Sequence, residues 1–181
     1  MGNSCTSRFD DSSFEELRLS YRSIEEKNQQ LPQAMKINIL SYNIFVRPPF
    51  ISNNGNDFKD ERLGEFMKHI GPFDIICLQE MFSAYSGRRN NLIKQAREAG
   101  YGYCAASPKT DTFSVHLIDG GLLMLSRFPI VATEYKSFSS GIGSDYYVNK
   151  GVLYAKIAIG ESRVHLFTTH CQATYDDTLV N

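Results

Sequence analysis

The 181-residue chain is 42% hydrophobic and 22% charged, with a formal net charge of −1, a composition that suits one soluble globular domain with a real core. A charge so near balance gives no electrostatic reason to expect a nucleic-acid binder, although a neutral protein can carry a local basic groove. No apolar run approaches the roughly 20 residues of a membrane-spanning helix, and the N-terminus lacks the charged start and apolar centre of a secretory signal.

The first element is a tail, "MGNSCTSRFD". Once Met1 is removed, Gly2 becomes the terminus and Thr6 fills the hydroxyl position of the N-myristoylation pattern. A single myristoyl chain holds a membrane only marginally, so stable anchoring needs a second signal. Cys5 is placed to supply it as a palmitoylation site. Residues 1–11 are thus read as an acylated, flexible terminus that puts the chain on the cytoplasmic face of a membrane. The plainer alternative is a polar tail with a chance Gly2. Residues 12–31 follow as an amphipathic helix. Phe14, Leu17, Tyr21 and Ile24 make one apolar stripe, Ser12 or Ser13 can cap it, and Pro32 ends it.

From residue 35 onward the pattern is that of a folded domain. "AMKINILSYNIF" reads as a central strand, and "VRPPFISNNGND" as a loop dense in Pro, Asn and Gly. "FKDERLGEFMKHIG" places Leu63, Phe66, Met67 and Ile70 on one face of a helix that Gly71-Pro72 stops. "GPFDIICLQEMF" is a buried strand ending on an acid. "GRRNNLIKQAREAG" is a second helix. "YGYCAAS", "GGLLMLSRFPIVATEYKSF", "GVLYAKIAIG" and "RVHLFTTHCQA" are strands joined by short turns, with a hairpin turn at Gly160-Glu161. There are no repeats and no low-complexity linker. The layout is α/β, with helices over sheets. The last strand would lie unpaired on one side unless more chain followed.

Four cysteines, Cys5, Cys77, Cys104 and Cys171, form no C-x-x-C pair. The last three lie in apolar, strand-like runs and are expected as buried, reduced thiols of a cytosolic protein.

Three strands finish on polar side chains that could bind a ligand. The first reaches Asn43, the second Gln79-Glu80 and the last Thr168-Thr169-His170. Asn43 and Glu80 offer the hard oxygens that Mg²⁺ prefers, and that ion commonly takes one or two protein carboxylates and keeps several waters. His170 can donate a hydrogen bond to a phosphate oxygen or exchange a proton. Each has an ordinary alternative: a solvated acid at a sheet rim, a turn asparagine, a satisfied structural histidine.

The ordered set "LSYNIF", "DIICLQE", "DGGLLMLSRFPI", "NKGVLYAKI" and "THCQA" resembles the endonuclease/exonuclease/phosphatase superfamily, and within it the neutral sphingomyelinases. The resemblance runs from about residue 35 to the end. It implies a deoxyribonuclease-like sandwich of two mixed sheets flanked by helices, here incomplete at its C-terminus. It further implies that Asn43 and Glu80 hold a catalytic Mg²⁺, that His170 contacts the substrate phosphate, and that Asp145 and Lys150 form a pair near the active site. The activity implied is hydrolysis of sphingomyelin to ceramide and phosphocholine.

The same resemblance implies an Asp-x-Asn motif and a late Asp-His pair after the TH-x-QA segment, the late histidine being the general base. Neither can be placed: Asp176-Asp177 follow too closely behind His170 and lack the asparagine. Residues 35–181 are therefore expected to be the N-terminal portion of such a domain, as a fragment, a partial gene model or a degenerate copy with little activity alone. Two other functions stay open at this point. One is a different hydrolase of the same fold, a nuclease or inositol phosphatase. The other is a non-catalytic membrane-tethered module.

Overall fold

The computed structural model describes residues 35–49, 57–110, 116–139 and 141–172. The expected acylation positions Gly2 and Cys5, the expected helix over 12–31 and Asp176-Asp177 lie outside them. The chain from Ile37 onward forms one compact unit, separate from Met1–Lys36.

Among the described residues, seven strands make two sheets. The first sheet contains β1 (Ile39–Val46), β2 (Ile75–Met81), β3 (Tyr103–Ala106) and β4 (Leu123–Ser126), in the order β1-β2-β4-β3. β1 runs parallel to β2, and the other pairings are antiparallel. The second sheet is β5 (Ile130–Ser137), β6 (Gly151–Ile159) and β7 (Ser162–Thr169), antiparallel throughout. The two-sheet sandwich with helices is the expected fold; among the described residues the first sheet is mixed and the second antiparallel.

Helices α1 (Lys59–His69) and α2 (Arg88–Glu98) form within the two segments expected to be helical. In α1, Leu63 is buried, and Phe66 and Met67 pack against the core beneath it. Asp60 and Glu61 occupy its first turn and Lys68 and His69 its last, matching the helix dipole. Gly100, at φ +91°, closes α2: its N–H donates to the Arg97 carbonyl and that of Tyr101 to the Ala96 carbonyl. This is the Schellman arrangement, and a Cβ at that φ would be strained.

The first sheet is covered on both faces. Ile76, Leu78, Leu123 and Leu125 meet the helices, while Ile75, Cys77, Leu122 and Met124 meet Leu153, Ala155 and Ile157 of β6. That double burial is why β2 reads as an unbroken apolar run. β6 alternates instead, with every second residue buried. Its outward face, with Tyr154, and Phe167 of β7 border a groove of about 360 Å³.

The run 120–138, read as one strand, is two. Ser126 starts the break: its hydroxyl accepts from the Phe128 N–H and donates to the Phe128 carbonyl. Pro129 has no N–H to donate, and the chain crosses from one sheet to the other there. The expectation of three buried thiols is also corrected. Cys77 is buried, and burial pushes its thiol up to about 11; Cys104 is half-buried and Cys171 exposed.

Candidate active site

Strict alternation would turn Glu80 into the helix-side core, on the face of Ile76 and Leu78. The structure prevents this with a bulge. Asn43 pairs with Gln79 and Val46 with Met81, so two residues of β1, Ile44 and Phe45, face Glu80 alone. Phe45 and Glu80 both take left-handed backbone, at φ +55° and +57°. The bulge advances the alternation by one, so Met81 rather than Glu80 joins Ile76 and Leu78 in the helix-side core. Bulges re-aim side chains in this way beside active sites. Left-handed backbone in a non-glycine residue costs on the order of 1–3 kcal/mol and gathers at functional sites.

Glu80 is thereby held among polar partners. Asn43 donates from Nδ2 to Glu80 Oε1 at 2.8 Å, and Asn43 Oδ1 accepts from the Phe45 N–H at 2.9 Å. Asn43 therefore stands here as the donor that orients Glu80. His170 Nε2 lies 3.5 Å from Oε1, and Arg47 Nε 3.8 Å from Oε2. Oε2 itself is buried and accepts no hydrogen bond. A buried carboxylate oxygen without a donor is costly, and a hard cation is the partner that suits it. The donor set thus fits a Mg²⁺-type ion at Glu80. Among the described residues no group of three or more His, Cys, Asp or Glu gathers, so water would complete the shell of any such ion.

The second sheet contributes the other side. Asp145 sits in a short helical turn, Gly143–Tyr147, and accepts from Lys150 Nζ at 2.8 Å. Lys150 also donates to the Cys171 carbonyl at 3.0 Å. That contact ties it to the residue after His170. His170 has its pKa lowered, first by burial and then by the Lys150 charge, against the opposing pull of Glu80 and Asp145. That lowering favours the neutral ring, which can donate or accept a hydrogen bond. His69 and His165 pair elsewhere, with Glu65 and Tyr154.

The structure brings Asn43, Glu80 and His170 together and places the Asp145–Lys150 pair beside His170. Sequence reasoning missed Arg47, and placed Gln79 only among the strand-end side chains that could bind a ligand. Gln79, on the face opposite Glu80's expected one, donates to Ser41 Oγ at 3.2 Å and across to Thr168 Oγ1 at 3.1 Å. It locks β2 to β7, two residues before His170. A polar residue at an inward position of an otherwise apolar strand was the available signal.

A two-sheet α/β sandwich thus carries an acid, a histidine and a lysine at its strand ends. The chain belongs to the Endonuclease/Exonuclease/phosphatase family, whose model matches residues 40–176. Over 134 residues it is 40% identical to a sphingomyelinase of Dictyostelium discoideum, covering 69% of this chain and 29% of that protein. The solved sphingomyelinase C of Streptomyces griseocarneus is 28% identical with a TM-score of 0.67, covering 79% of this chain and 51% of that one. A Staphylococcus aureus beta toxin variant with bound magnesium ions shares the fold at 24% identity and a TM-score of 0.58, over 76% of this chain and 50% of that one. The chain thus spans about half of these solved structures and under a third of the Dictyostelium protein.

Proposed function

We propose that this chain carries part of the active site of a Mg²⁺-dependent phosphodiesterase of the neutral sphingomyelinase type, cleaving sphingomyelin to ceramide and phosphocholine. The observation that carries the reading is Glu80: buried, left-handed, oriented by Asn43 and with Oε2 lacking a hydrogen bond, 3.5 Å from His170. Likeness to sphingomyelinases supports the choice of lipid over nucleic acid.

A cation at Glu80 would supply positive charge to a phosphodiester oxygen and to the leaving alkoxide. The chain's own residues do the rest. Neutral His170 donates a hydrogen bond to a non-bridging oxygen. Lys150 stands by as a second positive group, fixed by Asp145. Such preset donors stabilise charge as it develops on the phosphate. Arg47 balances Glu80 and limits how much anionic charge the site presents.

The tether belongs to the same proposal. Acylation at Gly2 and Cys5 would hold the protein at the cytoplasmic face of a membrane, where a bilayer lipid can reach the site. Gly2→Ala is expected to move the protein to the soluble fraction; unchanged membrane association would remove this part.

The activity test is phosphocholine release from sphingomyelin vesicles with and without Mg²⁺. The expected result is Mg²⁺-dependent release, lost in Glu80→Gln. Release that persists unchanged in Glu80→Gln, or DNA nicking in place of phosphocholine release, overturns the reading.

A further inference from the structure

Behind the bulge lies a buried acid that the proposed chemistry does not use. Asp119 is 1% exposed, and both of its oxygens are filled. Oδ2 accepts from the Ser83 N–H at 2.8 Å and the Ser83 hydroxyl at 2.6 Å. Oδ1 accepts from Arg89 Nη1 at 2.9 Å, the Gly121 N–H at 2.9 Å and Ser107 Oγ at 3.1 Å. One carboxylate thus joins the turn after β2, the start of α2, the end of β3 and the approach to β4.

Its neighbours in sequence reach both halves of the site. Gly121 O accepts from the Met81 N–H at 2.8 Å, the residue next to Glu80. Ile118 O accepts from the Asn149 N–H at 2.8 Å, the residue next to Lys150. Gly120 lets the second sheet approach, because a Cβ there would collide with Tyr135 Oη and the Asn149 carbonyl. Gly121 lies against the Phe82 ring, where a Cβ would collide too. Residues 118–121 are therefore one short strap, bonded at one end to Met81, next to Glu80, and at the other to Asn149, next to Lys150.

We infer that Asp119 is a positioning residue: it fixes the strap to the Ser83 turn and so holds Glu80 in its left-handed pose at a set separation from Lys150. The inference rests on the reading of Glu80 as a cation ligand. It goes beyond that reading in assigning the pose to an acid that touches neither cation nor substrate. A merely structural Asp119 would change stability and leave ion affinity alone, which is the distinction to test.

The probe is Mn²⁺, titrated into the full 181-residue chain and followed by its electron paramagnetic resonance signal, well below the melting temperature. Four variants are compared with wild type: Glu80→Gln, Asp119→Asn, Ser83→Ala and Tyr101→Phe. Asp119→Asn sets an amide N–H against donors and should weaken Mn²⁺ binding about tenfold. Ser83→Ala removes only the 2.6 Å bond, and should weaken it about threefold. Tyr101→Phe loosens the opposite end of β2, so it should lower the melting temperature without moving the affinity. Equal affinity in wild type and folded Asp119→Asn overturns the inference. If Asp119→Asn does not fold, unchanged affinity in Ser83→Ala does so. Weakening in Tyr101→Phe as large as in the Asp119 or Ser83 variant also does, because the effect is then stability alone. Unchanged affinity in Glu80→Gln sinks the cation reading itself, and this inference with it.

Discussion

Replacing Glu80 by glycine and, separately, by alanine isolates the backbone strain at the site. Both variants lose the same carboxylate, the same Asn43 bond and the same Arg47 ion pair, so those terms cancel between them. What differs is the response to φ +57°. A residue with a Cβ pays roughly 1–2 kcal/mol in left-handed backbone. Glycine gives up about 0.4–1 kcal/mol more chain entropy on folding. The difference leaves Glu80→Gly more stable than Glu80→Ala by about 1 kcal/mol. With a urea slope of about 2 kcal/mol per molar, that is a midpoint higher by about 0.5 M. Equilibrium urea unfolding followed by circular dichroism measures it, provided the two slopes agree. Ala158→Gly, one residue from the C-terminal end of β6, is the control, where glycine should lower stability by about 0.5–1 kcal/mol. An alanine variant as stable as the glycine variant would refute the claim that the bulge holds Glu80 under strain.

Three further outcomes follow from the packing. Tyr101, 1% exposed, donates its hydroxyl to the Ile70 and Phe73 carbonyls at 2.7 and 2.8 Å, so Tyr101→Phe should cost about 1–3 kcal/mol in chemical denaturation. Gly120→Ala drives a Cβ into Tyr135 and the Asn149 carbonyl, and should cost about 1–3 kcal/mol; an unchanged melting temperature would contradict that close approach. Burial raises Cys77 to about 11 and Tyr135 to about 12. Both hold protons in the folded state that the unfolded chain releases first, so their stabilisation is complete below pH 9 and is lost as pH rises through 11 and 12. Urea midpoints measured from pH 8 to 11 should fall, and Cys77→Ala should flatten the first part of that fall.

What short-range pattern can encode was legible in the chain itself. The stripes at Leu63, Phe66 and Met67 gave α1, the apolar run at Ile75–Leu78 gave β2, and the Gly160-Glu161 turn joined β6 to β7 in register. The polar side chains at the strand ends were visible too, because each interrupts an apolar run. The site itself was decided by tertiary structure. Glu80 turns from the helix-side core only because β1 and β2 pair with a bulge. His170 and Lys150 reach it from the other sheet, ninety and seventy residues along the chain. Asp119 gains its role only when four separate segments converge on its oxygens. Periodicity reports which way a side chain points relative to its neighbours in sequence. Which groups then meet depends on strand register and sheet packing, and those are fixed by contacts far apart in the chain.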